Sequence, residues 1–218
     1  DDAKGDVKAR EREATTELTA RIATIQEMLY AQRQHKLLVV LQGMDTSGKD
    51  GTVRALFHQI NPMGLRGVQF KAPNEDELAH DFLWRVHRQV PARGEIAIFN
   101  RSHYEDVIAV RVKKLCPETM WEKRFKHIID FEKMLVDEGT TIIKIFLNIS
   151  EEEQKLRLES RLVMPDKHWK LNPDDLQDRA KWGEFMHAYE DMISKTSTVD
   201  APWYVVPANR KWFRNYVV

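Results

Sequence analysis

Short apolar runs alternate along the chain with longer amphipathic stretches. Leu37 to Leu41, Glu95 to Phe99 and Thr141 to Leu147 have the composition of buried strands, and Val68 to Phe70 and Trp203 to Val206 that of shorter ones. Because strand and helix patterns alternate, we predict an α/β fold, a doubly wound parallel sheet of about five strands with helices on both faces.

Helical periodicity accounts for most of the remaining chain. The first helix carries Leu18, Ile22, Ile25 and Leu29 on one face, which is predicted to pack on the core or on a partner subunit. Further helices are predicted at 75–90, 107–114, 118–138, 150–162 and 174–195. Ser150 is placed to cap one of them, with Glu153 completing a capping box.

The stretch after the first strand fits a phosphate-binding loop. Gly43 to Lys49 matches the first seven positions of G-x-x-x-x-G-K-[ST], between a buried strand and an amphipathic helix. Glycines let backbone N–H groups point at a polyanion, the helix N-terminus adds partial positive charge, and Lys49 adds a full one. The alternative, an incidental glycine turn, is disfavoured by the flanking strand and helix.

Two acidic residues depart from the usual loop pattern. Asp50 replaces the Ser or Thr whose hydroxyl ordinarily meets Mg²⁺, and Asp45 lies in the middle of the loop. Asp45 is either a turn-forming residue or a carboxylate that recruits Mg²⁺.

A second polar cluster, Asn100 to Asp106, follows the strand that ends at Phe99. Ligands of open parallel sheets gather outside the carboxyl ends of the strands, so this cluster is predicted to border the site. Farther along, Arg157 and Arg161 lie one helical turn apart, where they would repel each other unless an anion lay between them. With Lys167 and Lys170 they form either a closing lid or a solvated charged face.

Composition adds three constraints. Lys plus Arg equals Asp plus Glu at 34 each, so any polyanion site requires a local concentration of positive charge. Cys116 is the one cysteine, which excludes an internal disulfide and fits a reducing cytoplasm. No stretch approaches the roughly 18 apolar residues of a membrane span, so we expect a soluble, cytoplasmic protein.

These motifs together resemble the polyphosphate kinase 2 family of P-loop kinases. Gly43 to Gly51 is similar to its Walker A loop, Asn100 to Glu105 to its Walker B edge, Arg157 to Lys170 to its lid, and Pro202 to Trp212 to its last strand and turn. The resemblance implies a P-loop kinase three-layer sandwich, in which residues 1–218 form one domain and about residues 157–182 form a helical lid.

The resemblance also implies site residues. It makes Asp45, Lys49, Arg101 and Arg161 catalytic, with Asp45 also the ligand of Mg²⁺. We expect phosphates at Gly43, Thr46, Ser47, Gly48, Asp50, Gly51, Arg157, Lys167 and Lys170, and the nucleotide at Lys71, Arg88, Asn100, Ser102, Tyr104 and Glu105. Many family members have Asp at position 100 and Asn at 105, so the form here shifts the charge for Mg²⁺ onto Asp45 and water.

The implied reaction moves the terminal phosphoryl group of inorganic polyphosphate to ADP. The Asn-Arg-Ser-x-Tyr-Glu form resembles the branch that also phosphorylates AMP, and guanine nucleotides are further candidate substrates. No partnership with nucleic acid or a membrane is expected, whereas a homo-oligomer, a dimer or tetramer, is. Two alternatives stay open at this point: an ATP-dependent nucleoside monophosphate kinase, and a P-loop module that binds without catalysis.

Overall fold

The computed structural model describes residues 2–170 and 172–218. Within them five parallel strands form one sheet, in the order β2-β3-β1-β4-β5. The strands are β1 (Lys36–Gln42), β2 (Leu65–Gln69), β3 (Ile96–Asn100), β4 (Thr140–Asn148) and β5 (Trp203–Pro207). The predicted fold class is therefore confirmed, and β2 begins three residues earlier than the sequence suggested.

Helices cover both faces of the sheet. In the described ranges they are α1 (Asp2–Gln32), α2 (Lys49–Phe57), α3 (Glu75–Leu78), α4 (Trp84–His87), α5 (Ala109–Val112), α6 (Glu118–Asp137), α7 (Glu151–Val163), α8 (Pro173–Ala180), α9 (Trp182–Thr196) and α10 (Lys211–Val217). Single 3₁₀ turns lie at Pro62–Gly64, His103–Asp106 and Pro165–Lys170.

Alternate residues of β1 enter two separate cores. Leu38 and Val40 pack with residues of α6 and α9, whereas Val39 and Leu41 pack on the face that carries α1 and α2. This two-sided burial explains why β1 is apolar at every position from Leu37 to Leu41 instead of alternating. It also places the end of β1, and the loop that follows it, at the middle of one edge of the sheet.

Three helix predictions need correction. The helix expected at 75–90 is two short helices, because Asp81 accepts a hydrogen bond from Leu83 N at 3.0 Å and starts a new turn. The helix expected at 174–195 divides at Lys181 into α8 and α9, and the one expected at 107–114 is reduced to α5.

The apolar stripe of α1 is only partly buried. Ile22 and Leu29 are half-buried, but Leu18 and Ile25 are 41% and 57% exposed. The two buried side chains among the described residues of the same helix are polar: Thr19 and Gln26, of which Gln26 packs against Gly64. The stripe thus contributes less to the core than its periodicity suggests.

Candidate active site

The loop from Gly43 to Gly48 joins β1 to α2 at the carboxyl edge of the sheet. Gly43 has φ 149°, and a Cβ there would lie 2.6 Å from Leu147 O. Gly48, the N-cap of α2, has φ 102° and no side chain to cap the helix. The first turn of α2 therefore presents backbone N–H groups to a ligand, as an anion site at a helix N-terminus requires.

The side chain of Lys49 lies inside this loop and is hydrogen-bonded to its backbone. Its Nζ donates to Gly43 O at 2.6 Å and to Met44 O at 3.2 Å, and the side chain is buried. Burial lowers the pKa of Lys49, while the nearby charge of Asp45 opposes that shift. A buried ammonium that is held by carbonyl oxygens is placed to meet a phosphate oxygen.

Asp45 and Arg101 form an ion pair across the mouth of the loop, between Asp45 Oδ1 and an Arg101 Nη atom. Burial alone would raise the pKa of Asp45, but Arg101, Lys49 and Arg161 together lower it. Arg101 has φ 60° and Thr46 has φ 68°, so two non-glycine residues of this region adopt the left-handed conformation. Backbone of this kind persists where the surrounding structure fixes it, commonly at functional sites.

A cleft of about 520 Å³ opens between the phosphate loop, the end of β3, α7, the 3₁₀ turn at Pro165–Lys170, and α10. Lys49, Arg101 and Arg161 all line it, although they come from distant parts of the chain. Among the described lining residues eight are basic and two are acidic: Lys49, Arg101, Arg157, Arg161, Lys167, Lys170, Lys211 and Arg214 against Asp45 and Asp50. A chain of zero net charge therefore concentrates positive charge in one place.

Most of the residues expected at the site share this cleft. Besides those already named, Thr46, Gly48, Gly51 and Asn100 line it. Gly43 and Glu105 instead line a small separate cavity behind Asp45, and Ser47 is fully buried in the loop. The hydroxyls of Thr46 and Ser47 are buried without a hydrogen-bond partner in the described structure, which fits a loop that is completed by a ligand.

Two residues expected to bind nucleotide lie outside the cleft. Lys71 is exposed, and its carbonyl oxygen accepts a hydrogen bond from Arg85. Arg88 lies over the Trp84 ring, 4.7 Å from its centroid. Neither side chain borders the cleft in this structure.

Ser102 and Tyr104 also require correction, because both are fully buried. Tyr104 donates to Glu132 Oε1 at 2.7 Å, and Lys144 Nζ donates to Glu132 Oε2 at 2.6 Å and to the Tyr104 hydroxyl at 2.9 Å. Burial alone would raise the pKa of Glu132, but the hydrogen bond from His103 and the charge of Lys144 lower it. Tyr104 therefore anchors the turn behind Arg101 to α6 and β4.

Replacing Tyr104 by phenylalanine should lower the free energy of unfolding by about 1.5 kcal/mol, because a buried charged pair loses a hydrogen-bonding hydroxyl. Urea unfolding measures the change. Tyr204, which is 54% exposed on β5, supplies the matched control, and Tyr204→Phe should change stability by less than about 0.5 kcal/mol. Equal effects of the two substitutions would contradict a special role for the buried network.

Arg157 is bound to the protein backbone. Its guanidinium donates to the carbonyl oxygens of Thr46 and Ser47 in the loop, and to those of Ala208 and Asn209 after β5. Its Nε donates to Glu153 at 2.7 Å. The repulsion from Arg161 that we expected is thus relieved by protein oxygens, and Arg157 joins the loop to the end of β5.

The same contact corrects the predicted capping box. Ser150 Oγ accepts from Glu153 N at 3.2 Å, as expected, but the Glu153 carboxylate pairs with Arg157. Ser150 N donates to Asn209 Oδ1 instead, at 2.9 Å. The start of α7 is thereby fixed to the loop that follows β5.

Arg161 connects the segments that we expected to form a lid. It donates to Asp175 Oδ2 at 2.6 Å and to Lys170 O at 3.0 Å. Burial raises the pKa of Asp175 to about 6, and the charge of Asp45 contributes, whereas Arg161 opposes the shift. One guanidinium thus ties α7, the 3₁₀ turn and α8 together at the rim of the cleft.

Six lining residues were missed by the sequence analysis: Gln69, Ser160, Trp169, Lys211, Arg214 and Asn215. Three of these lie on α10, which packs against α1 and α2. No spacing rule links a C-terminal helix to a loop near residue 45, so the pattern alone could not have placed them. Lys211 is the exception, because it ends the turn after the last predicted strand, a turn that borders the donor-phosphate site in related architectures.

The donor set fits a divalent metal whose remaining ligands come from substrate. Asp45 and Asp50 both line the cleft, and within the described residues each uses only Oδ1, for Arg101 and Asn100 respectively. The described residues contain no group of three or more His, Cys, Asp or Glu side chains placed to hold a metal. Phosphoryl-transfer sites commonly hold a divalent metal by one or two carboxylates together with phosphate oxygens.

A phosphate loop between β1 and α2, a parallel sheet in this strand order and a basic cleft at its carboxyl edge define a P-loop phosphotransferase. The family model described as polyphosphate kinase 2 (PPK2) matches residues 6–218. The chain belongs to the polyphosphate kinase 2 family.

Individual proteins and a solved structure that resemble this chain agree with the family assignment. The chain is 57% identical over 206 residues to a Meiothermus ruber protein named AMP/ADP-polyphosphate phosphotransferase, which covers 94% of this chain and 77% of that protein. It is 42% identical over 203 residues to a Rhodopseudomonas palustris ADP-polyphosphate phosphotransferase, covering 88% and 70%. The crystal structure of polyphosphate kinase 2 from Arthrobacter aurescens matches with a TM-score of 0.93 at 46% identity, over 96% of this chain and 76% of that one.

None of the helices in residues 2–170 and 172–218 combines the length and the apolar character that crossing a bilayer demands.

Proposed function

We propose that this protein transfers the terminal phosphoryl group of inorganic polyphosphate to ADP and to AMP, reversibly. A nucleotide phosphate oxygen forms a bond to the terminal phosphorus, and the bond from that phosphorus to the bridging oxygen breaks. The shortened polyphosphate leaves with the electron pair, so ADP becomes ATP and AMP becomes ADP. Membership of the polyphosphate kinase 2 family and the names of the two relatives support this assignment.

The observation that carries the proposal is the positive charge of the cleft beside the phosphate loop. Two polyanions must come together in line, and their mutual repulsion opposes every step of that approach. Eight basic side chains against two carboxylates, among the described residues of the cleft, offset this repulsion. The nucleophile is already an anion, so the reaction needs positioning and charge neutralisation more than a general base.

The lining of the cleft favours an inorganic chain as donor. Polyphosphate carries charge but no bases, whereas nucleic acid would need aromatic platforms interleaved with basic residues. Among the described lining residues Trp169 is the one aromatic side chain, and it is 74% exposed beside Lys170. Such a groove suits a string of phosphates.

Each catalytic residue is assigned one task. The backbone N–H groups of the loop and Lys49 hold the phosphoryl group that moves, and Arg101 bridges donor and acceptor phosphates with its planar fork. Arg161, held by Asp175, positions the lid of about residues 157–182 over the cleft. Lys167 and Lys170, which lie in the same lid, bind the polyphosphate chain.

We assign the metal as Mg²⁺, held by Asp45 and Asp50 together with substrate phosphates. When bound, it supplies additional positive charge to the phosphate oxygens. Asn100 orients Asp50 through the hydrogen bond between their side chains. The observation behind this choice is that Asp45, in the phosphate loop, and Asp50, in the first turn of α2, line the same cleft.

We also propose a cytoplasmic homo-oligomer, a dimer or tetramer. The exposed apolar side chains Leu18, Ile25 and Met28 of α1 support self-association, and Cys116, an unpaired cysteine, supports a reducing compartment. Light scattering that gives a monomer mass at working concentration would overturn the oligomer.

The deciding experiment supplies polyphosphate and a nucleotide without ATP. AMP, ADP, GMP and GDP are incubated separately with the protein, Mg²⁺ and polyphosphate, and the products are separated by ion-exchange chromatography. We expect AMP to yield ADP and ADP to yield ATP. A parallel reaction contains AMP and ATP without polyphosphate. Phosphorylation of AMP there, with no product from polyphosphate, would identify an ATP-dependent monophosphate kinase instead.

A further inference from the structure

Arg214 of α10 is a buried cation without an acidic partner. Its side chain is 2% exposed, and Nε and Nη2 donate to the neutral amide oxygen Asn215 Oδ1 at 3.1 and 2.7 Å. Within the described residues no carboxylate lies within salt-bridge distance of it. Burial, and next the charge of Arg157, lower its pKa to about 10.

The guanidinium lies directly on the phosphate loop. A Cβ on Gly48 would stand 2.0 Å from Arg214 Nη1, and one on Gly51 would stand 3.5 Å from Nη2. Glycine at position 48 therefore serves two purposes, the left-handed backbone and the space for this side chain. The cation also faces the N-terminus of α2, whose partial charge is positive as well.

Further positive charge surrounds Arg214. Burial, followed by Arg157, Lys167 and Arg214, lowers the pKa of Lys211, which lies on the same helix. A buried charge normally requires a paired charge of opposite sign, and like charges around it increase the cost. A polyanion at this end of the cleft would supply the missing charge of opposite sign.

Two arginines thus contact different parts of one loop. Arg101 pairs with Asp45 near the start of the loop, at the end of β3, whereas Arg214 lies on Gly48 near its end. We propose that Arg214 and Lys211 form a subsite for the phosphate groups of the donor chain that follow the transferred one. This inference rests on the proposed function, because it assumes that polyphosphate occupies the cleft.

The test compares phosphate chains of different length in the absence of nucleotide. Calorimetry measures the Kd of long-chain polyphosphate, tripolyphosphate and pyrophosphate for wild type, Arg214→Met and the matched control Arg210→Met. Arg210 is exposed next to α10 and does not line the cleft. For Arg214→Met we expect the Kd of long polyphosphate to rise about tenfold, and that of pyrophosphate less than about twofold. ATP, as a nucleotide carrying three phosphates, tests whether the subsite also accepts a nucleoside triphosphate tail.

A second measurement separates binding from folding. The melting temperature of ligand-free Arg214→Met should equal or exceed that of wild type, because an unpaired buried charge is removed. Lys211→Ala, a change at an exposed side chain, should show the same dependence on chain length with a smaller loss, which keeps the test valid if Arg214→Met does not fold.

Three results would contradict either the proposed subsite or the proposed function on which it rests. An unchanged Kd for long polyphosphate in both variants, or equal losses for pyrophosphate and the long chain, would overturn the subsite. Failure of the wild type to bind polyphosphate at all would overturn the proposed function instead, so the two failures are distinguishable.

Discussion

Replacing Arg101 by alanine should reduce kcat for polyphosphate-dependent phosphorylation of ADP at least about a hundredfold, the loss typical of removing one charge-stabilising donor. Arg101 lies at the end of β3 with φ 60°, and its backbone N–H is fixed by Leu41 O at 3.1 Å. The charge of Glu105, and then that of Asp45, raise its pKa, so it stays protonated throughout the working range. Steady-state kinetics with saturating polyphosphate measure the loss.

Two effects combine in this variant. The substitution removes the planar guanidinium to which we assign the bridging of donor and acceptor phosphates. It also removes the cation that neutralises Asp45 in the middle of the phosphate loop. An uncompensated carboxylate there repels both substrates. Arg101→Lys keeps the charge but not the planar pair of donors, so we expect its rate to lie between those of wild type and Arg101→Ala.

A matched ion pair away from the cleft provides the control. Arg124 donates to Asp106 Oδ1 at 2.6 Å and does not line the cleft, and its side chain is more buried than that of Arg101, 16% against 37% exposed. Arg124→Ala should lower stability while leaving kcat within about twofold of wild type at temperatures well below melting. Near-normal turnover in Arg101→Ala, or equal loss in both variants, would remove Arg101 from the catalytic role.

The phosphate loop and the sheet were predictable because their signals are local. Gly43, Gly48 and Lys49 stand at fixed spacing between a strand that is buried on both faces and a helix, so neighbours in sequence decide the conformation. The parallel sheet of about five strands followed from the alternation of strand and helix patterns, whereas the order of the strands came from the structure. Local sequence therefore sufficed for the fold and for the centre of the cleft.

The direction of individual side chains was less predictable. Tyr104 follows Arg101 by three residues, yet it turns inward because Glu132 and Lys144, 28 and 40 residues away along the chain, accept and donate its hydrogen bonds. A single lysine inside an apolar strand and a glutamate on the apolar face of α6 were the available signs of this buried pair. Arg157 and Arg214 gave no such sign, because their surroundings come from the phosphate loop.

Replacing Lys49 by methionine tests the centre of the cleft, and kcat should again fall at least about a hundredfold. Methionine has a similar length and apolar stem, so the change chiefly removes the ammonium group. Nζ now binds Gly43 O and Met44 O, and a phosphate that enters the loop would meet a cation already held in place. Because burial lowers the pKa of Lys49, loss of the charge should not cost folding stability, and a normal melting temperature is expected.

Lys155→Met is the matched control for Lys49→Met. Lys155 lies exposed on α7, 3.9 Å from Glu159, and its replacement should leave turnover unchanged. Parallel measurement of polyphosphate binding distinguishes catalysis from a module that only binds. A module that only binds would show no turnover in wild type, and Lys49→Met would only weaken its binding of polyphosphate. In an enzyme, Lys49→Met should reduce kcat by a far larger factor than it reduces affinity. The reason is that the cation stabilises the transition state, in which charge develops, more than it stabilises the bound substrate. A Lys49→Met protein with wild-type kcat would show that the loop binds phosphate without contributing to its transfer.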